Sequence, residues 1–168
     1  MTEEASVRLK LTRDLITRPP QPSMKSLRVM TPDDQVAVAE ILFDAYRGGV
    51  DDEGDGPVVA LVEVVNTMAG QYGPPIPDAC LVGLDEHGQI VSAVLTVMFE
   101  DEPLIAHVVT DPDHQHQGWG GALIEQALQA VAEGGGAWVN LAVTVGNPAL
   151  ALYEKLGFLT AESTIEAG

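Results

Sequence analysis

Between positions 108 and 124 the chain reads Val-Val-Thr-Asp-Pro-Asp-His-Gln-His-Gln-Gly-Trp-Gly-Gly-Ala-Leu-Ile. An apolar β-branched run gives way to a proline-containing loop, and glycines then open an amphipathic segment. The first N–H groups of a helix lack internal partners, and the aligned peptide dipoles put partial positive charge there. Gly118 and Gly120 remove side chains that would hold a diphosphate away from those donors, so the implied chemistry is anion binding by backbone. A dinucleotide fingerprint is excluded, because its third glycine would fall at Leu123 and no βαβ unit surrounds it. A P-loop is excluded too, since no Gly-Lys-Ser/Thr follows. Asp111, Asp113, His114 and His116 share the loop but lack a third ligand at defined spacing. A solvated loop is the better reading there, with no metal expected.

Backbone donors suit the composition. The 168 residues include 8 Lys+Arg and 25 Asp+Glu, a formal net charge of −17. That balance excludes nucleic acid and anionic membrane surfaces as partners, because both need a basic face. With 46% hydrophobic residues the chain can bury a core, so the excess charge lies on the surface of a folded domain. No apolar run approaches the roughly 18 residues of a membrane span, and Glu3 and Glu4 stand where a signal peptide is basic. A cytoplasmic protein is expected. Cys80 is the single cysteine, which excludes an internal disulfide and a thiolate metal cluster. Few lysines with many Ala, Val and Gly suit a bacterial coding bias.

The elements that must position these residues follow from periodicity. Residues 1–26 hold Arg8, Lys10, Arg13, Arg18 and Lys25, and alternating Val7, Leu9 and Leu11 suggest a strand, so the segment reads as an arm or an extra edge strand. The domain over 27–168 opens with a strand at 27–30. Thr31, Pro32 and Asp34 then start a helix whose face is Val38, Ile41, Leu42 and Ala45. A loop carrying Asp51, Asp52, Glu53 and Asp55 precedes a second helix over 57–69, with a Val58, Leu61, Val65 and Met68 stripe. Strands are expected at 79–84, 90–99 and 104–110, with hairpin-type turns between them. A helix over 119–132 presents Leu123, Ile124, Ala127, Leu128 and Val131 on one face. A strand at 138–144, a short helix over 148–156 and a strand at 158–164 complete the order.

The Gln115, Gly118 and Gly120 spacing resembles the Gln/Arg-x-x-Gly-x-Gly/Ala motif of the GNAT superfamily of acyl-CoA N-acyltransferases. Downstream, Asn147, Tyr153, Gly157 and Phe158 are similar in spacing to that family's second motif. Taken singly, Asn147 and Gly157 are explained as helix caps; jointly the two motifs point to the family. The resemblance implies an α+β fold, a central mixed and mostly antiparallel sheet of six to seven strands with four helices. It implies a splay between the fourth and fifth strands counted from residue 27, with acyl-CoA in the cleft. Val108, Val109 and Thr110 are then expected to meet the pantetheine arm. The amides of Gln115, His116, Gln117, Gly118, Trp119, Gly120 and Gly121 are expected to cradle the pyrophosphate. Asn147 contacts the CoA arm and Tyr153 sits near the sulfur.

The implied activity is acetyl-CoA-dependent transfer of an acetyl group directly to a primary amine, most simply of a small molecule. The competing expectation is a non-catalytic CoA-binding sensor or partner domain; such folds are often homodimers. Without an acyl-enzyme, Cys80 is core rather than nucleophile. Tyrosine titrates near ~10 and an alkyl thiol near ~8.5, so full proton transfer from Tyr153 to the leaving thiolate is uphill by roughly 2 kcal/mol. A hydrogen bond to developing thiolate fits Tyr153 better. The base is open. Relatives carry Glu or His on the strand at 104–110, but here 104, 106 and 108 are Leu, Ala and Val, and His107 points to the other face unless a bulge re-aims it. Asp51, Asp52 and Glu53, in the loop between the first two helices, are expected to meet a cationic acceptor, with Glu100 and Glu102 near the cleft mouth.

Overall fold

The computed structural model describes residues 7–22, 24–47, 54 and 56–167. Seven strands form one sheet in the order β2-β3-β4-β5-β6-β1-β7, and four α-helices cover it. The strands are β1 (Val7–Asp14), β2 (Leu27–Val29), β3 (Leu81–Leu84), β4 (Ile90–Phe99), β5 (Glu102–Thr110), β6 (Trp138–Thr144) and β7 (Leu159–Ala167). The helices are α1 (Gln35–Tyr46), α2 (Pro57–Met68), α3 (Trp119–Glu133) and α4 (Ala149–Lys155). Every strand pair is antiparallel except β5 with β6. The expected fold class, a mixed and mostly antiparallel sheet with four helices, is the one observed.

Two cores result, one on each face. α3 lays Leu123, Ile124, Ala127, Leu128 and Val131 against Val94, Ile105, Val139 and Leu141. On the opposite face Val38, Ile41, Leu42 and Val64 of α1 and α2 cover Val82, Ala93, Leu95 and Val109. The apolar stripe expected on α2 is turned. Val58 and Val65 are 71% and 42% exposed, while Val64 and Thr67 are buried. Valines on every side of this helix give no distinct stripe, and the Thr67 hydroxyl is absorbed by donating to the Glu63 carbonyl at 2.7 Å. Among the described residues no helix is long and apolar enough to cross a membrane.

β1 is a strand, as its alternation predicts, but not an edge. It lies between β6 and β7, antiparallel to both, with Leu11 fully buried. Leu11, Arg13 and Leu15 all turn toward α3, and the buried Arg13 guanidinium lies 4.0 Å from Glu125 of that helix. Burial pulls the Arg13 pKa down, and Glu125 works against it.

Two local devices hold the α1–α2 side. Arg28 of β2 grips Asp34, at the start of the first helical segment, through contacts of 2.7 and 3.0 Å. The Thr31 N–H donates to the same carboxylate at 2.7 Å. Its pKa falls from 3.8 to about 2, chiefly through Arg28. After α2 the chain crosses the end of β4, where Pro74 accepts from Met98 and Ile76 donates to Thr96. Gly73 stands there at φ 114°, and a Cβ on it would overlap the Met98 carbonyl.

Two outcomes are expected. A Gly73→Ala chain loses about 1–3 kcal/mol from left-handed strain, more if the crossing cannot shift, read as a drop in urea midpoint. Asp34 is ionised at lower pH in the folded than in the unfolded chain. Its contribution is therefore complete above about pH 4 and lost as pH falls toward about 2. With Arg28 side chain 43% exposed, that contribution is about 1 kcal/mol. Asp34→Asn should flatten this part of the pH–stability curve.

Candidate active site

The site begins where a ladder ends. β5 and β6 run parallel and pair only at Leu104 with Asn140 and at Ile105 with Leu141. Beyond Ile105, β5 keeps β4 on one side and loses β6 on the other. The Asp111 N–H bonds the Val91 carbonyl, so alternation aims the groups of Val109 at β4 and those of Val108 and Thr110 into the gap. Of the three residues expected along a pantetheine arm, two thus turn backbone groups into the gap. The third packs into the α1–α2 core.

A short 3₁₀ turn at Pro112–His114 leads from β5 to α3, with His114 Nδ1 2.7 Å from Asp111 Oδ2. Residues 115–118 are exposed, and His116 and Gly118 take left-handed φ values of 63° and 87°. The first intrahelical bond of α3 runs from the Ala122 N–H to the Gly118 carbonyl. The N–H groups of Trp119, Gly120 and Gly121 are left at the helix mouth. Trp119 turns its side chain inward, so close to Gly83 that a Cβ there would stand 2.7 Å from the ring. Its indole N–H has no acceptor among the described residues. Lys25 lies over the ring, 4.5 Å from its centroid. A cation from the N-terminal segment thus stands beside the loop, whereas Lys155, the nearest in sequence, offers its carbonyl to Arg18.

α4 closes the other side. Leu152 and Leu156 come within 3.5 and 3.8 Å of Cβ positions on Gly120 and Gly121. Asn147 Oδ1 accepts from the Ala149 N–H at 2.9 Å, starting α4 one residue later than expected. Tyr153 is buried, its ring edge-on to Phe158 at 6.2 Å. α4 thus packs on the first turn of α3, with Asn147 at its start and Tyr153 within it.

On the α1–α2 face the β4–β5 register jumps. Leu95 faces His107 and Thr96 faces Ile105, leaving Ala106 as the extra residue of a bulge. His107 lies opposite Val108, on the face of Leu95 and Val109, as alternation predicts, and the bulge turns Ile105 to the α3 side with Val108. His107 Nε2 is 2.8 Å from Glu63 Oε2, and the Tyr72 hydroxyl lies 3.0 Å from both Glu63 oxygens. The hydrogen bond from His107, then that from Tyr72, draws the Glu63 pKa down against burial. Burial, and then Glu63, raises the Tyr72 pKa. Sequence reasoning missed Glu63 and Tyr72. Glu63 had one signal, being the sole charged residue in α2.

The other carboxylates divide. Glu102 Oε1 accepts from Trp138 Nε1 at 2.7 Å and Asn140 Nδ2 at 3.2 Å, which lowers its pKa and ties it to β6 at the foot of the gap. Glu100 and Asp101 form the two-residue hairpin tip, both at positive φ. Asp51, Asp52 and Glu53 lie outside the described residues. Cys80 is buried, donates to the Thr96 carbonyl at 3.3 Å and has its pKa raised by desolvation, so it is inert core. Among the described residues no three His, Cys, Asp or Glu converge on a metal position.

Known proteins match this arrangement. Residues 77–159 match the model of the acetyltransferase (GNAT) domain, the stretch from just before β3 to the start of β7. The [ribosomal protein bS18]-alanine N-acetyltransferase of Escherichia coli strain K12 is 37% identical over 76 residues, 45% of this chain and 51% of that protein. The chain thus spans about half the length of the curated relatives it matches. In structure it is similar to a GCN5-related N-acetyltransferase from Sphaerobacter thermophilus, with TM-score 0.73 and 20% identity over 95% of this chain and 50% of that one. It is also similar to a GNAT family acetyltransferase from Brucella melitensis in complex with acetyl-CoA, with TM-score 0.61 and 16% identity over 85% and 95% of the two chains. With the motif spacing, the splayed β5–β6 pair and the domain match in agreement, residues 77–159 carry a GNAT acetyltransferase domain within a GNAT-like fold.

Proposed function

We propose that the chain is an acetyl-CoA-dependent N-acetyltransferase that passes the acetyl group directly from the thioester to a primary amine. The observation that carries this reading is the gap between β5 and β6, bordered by open backbone groups and ending at the mouth of α3. A linear ligand with polar amides along its arm and a diphosphate at one end fits such a row of groups. Val108 and Thr110 bond the arm, residues 115–121 hold the diphosphate by N–H donors, and Asn147 and Tyr153 border the arm from α4. Acetyl-CoA supplies the activated acyl group. Tyr153 donates a hydrogen bond to sulfur as the thiolate forms, within the limit set by its higher pKa. The relative solved with acetyl-CoA supports the identity of the donor.

The acceptor is read as a small cationic amine. Glu63 holds a negative charge on the acceptor side of the sheet, and the whole chain carries −17. Asp51, Asp52 and Glu53 belong to the same proposal through their place between α1 and α2. A second reading, the α-amine of a protein N-terminus, is favoured by the likeness to the bS18-alanine enzyme. One assay separates them: thiol release from acetyl-CoA with small primary amines in one arm and an alanine-starting peptide in the other. A chain that binds CoA but turns over neither acceptor class would be a binding domain, and the transferase reading would fall.

Three variants test the site itself. Tyr153→Phe should lower kcat while leaving the Kd for CoA unchanged; an unaltered kcat removes Tyr153 from the chemistry. Gly118→Ala places a Cβ at φ 87° and should weaken CoA binding by about tenfold, near 1.4 kcal/mol, in a calorimetric titration. Gly120→Ala meets only ordinary contact with Leu152, so the chain should fold as the parent does while the added Cβ at the helix mouth weakens CoA binding. Affinity equal to the parent's in both glycine variants would detach the loop from the diphosphate.

A further inference from the structure

Beyond Leu141, the last residue of β6 paired with β5, that strand keeps β1 on its other side. The register sets Lys10 opposite Ala142 and Arg8 opposite Thr144, so two cations of β1 stand one strand back from the gap. Alternation fixes their direction. Leu9, Leu11 and Arg13 turn toward α3, which leaves Arg8 and Lys10 on the α1–α2 side of the sheet. The core under α1 and α2 takes its strand residues from β3, β4 and β5 and none from β6 or β1, and both cations are exposed. Among the described residues neither has an ion pair or a hydrogen bond, whereas Arg13, Arg28 and Arg47 each lie within 4.0 Å of a carboxylate. Glu166 of β7 is the acidic residue opposite Arg8 in register. Across the gap the charge reverses. Glu63 is held by His107 and Tyr72, and Glu102 by Trp138 and Asn140. Trp138 and then Asn140 draw the Glu102 pKa down, with Lys10 adding least. Burial and Glu63 raise the Tyr72 pKa, and Arg8 opposes them. Both cations are thus within electrostatic reach of the acidic side.

Resting on the transferase reading above, we propose that Arg8 and Lys10 bind a carboxylate of the acceptor and so select small amines that carry one. The ammonium end faces Glu63, and the carboxylate end reaches over β6 to β1. Neighbouring strands lie about 4.8 Å apart, so β1 stands roughly 5 Å beyond the β6 edge of the gap, within the span of an extended Arg or Lys side chain. A guanidinium presents parallel N–H donors to the two carboxylate oxygens, and the lysine ammonium adds a point charge. An acceptor with one charge of each sign meets an opposite charge at both ends. A diamine would set its second ammonium against two cations, and a plain alkylamine would leave both without a partner. The N-terminal strand, seated between β6 and β7, thereby supplies specificity to a site whose donor half lies on β5 and α3.

The test compares kcat/KM in the full chain for short linear amines of matched length that end in a carboxylate, a methyl group or a second ammonium. The parent should favour the carboxylate over the methyl group by roughly tenfold. In the Arg8→Gln/Lys10→Gln chain that preference should vanish, chiefly through a raised KM for the carboxylate amines. Arg8→Glu/Lys10→Glu should turn the preference toward the second ammonium. Both side chains are exposed, so these chains should fold as the parent does, and an unchanged Kd for CoA registers that. Equal kcat/KM for carboxylate and methyl amines in the parent, or a preference that survives the double substitution, overturns the assignment. A Kd for CoA that rises in the double variant while the acceptor preference stays would give the two cations to the cofactor instead, which also overturns it. Acetylation confined to an alanine-starting peptide overturns the small carboxylate acceptor alone. Turnover of no amine and no peptide by the parent overturns the transferase reading beneath it.

Discussion

Two residue pairs, Leu104 with Asn140 and Ile105 with Leu141, hold β5 to β6, and there the parallel ladder stops. A strand that loses its neighbour in mid-sheet exposes backbone donors and acceptors, a cost that folded chains otherwise avoid. Here the cost falls on one gap. The loop at 115–118 and the mouth of α3 follow β5, α4 packs on that helix through Leu152 and Leu156, and His107 meets Glu63 on the α1–α2 face. β5 keeps its pairing with β4, and β6 its pairing with β1, on the sides away from the gap.

The same gap reconciles an acidic chain with an anionic ligand. A net charge of −17 leaves few cations to spend on phosphates, and the helix mouth supplies N–H groups that carry no net charge. Lys25, held over Trp119, is the cation the fold brings nearest this loop. On the opposite face, negative charge is useful, because an ammonium must be drawn in before it is deprotonated. On the proposed reading, the sheet separates two electrostatic tasks, anion binding at the mouth of α3 and attraction of an ammonium on the α1–α2 face.

Much of this was legible from residue types alone. The apolar face of α3 was visible at a helical period, and the glycines at 118 and 120 marked the turn that opens it. What stayed hidden depends on partners far away in the chain. Alternation in residues 7–11 showed a strand but not its seat between β6 and β7, since that seat is set by segments more than a hundred residues on. The all-round valines of α2 concealed which face is buried. His107 keeps the face that its alternation with Val108 predicts, while the bulge at Ala106 turns Ile105 to the α3 side, which no local pattern announces; the partner of His107, Glu63, lies 44 residues away in sequence.

The central claim is that the β5–β6 gap and the mouth of α3 form one acyl-CoA site. Titrating CoA into the ¹⁵N-labelled chain and following every backbone amide tests it most directly. The largest shifts should fall on Val108, Thr110 and residues 115–121, with the α1 amides nearly still. Shifts centred on the α1–α2 face, or none at saturating CoA, would contradict it.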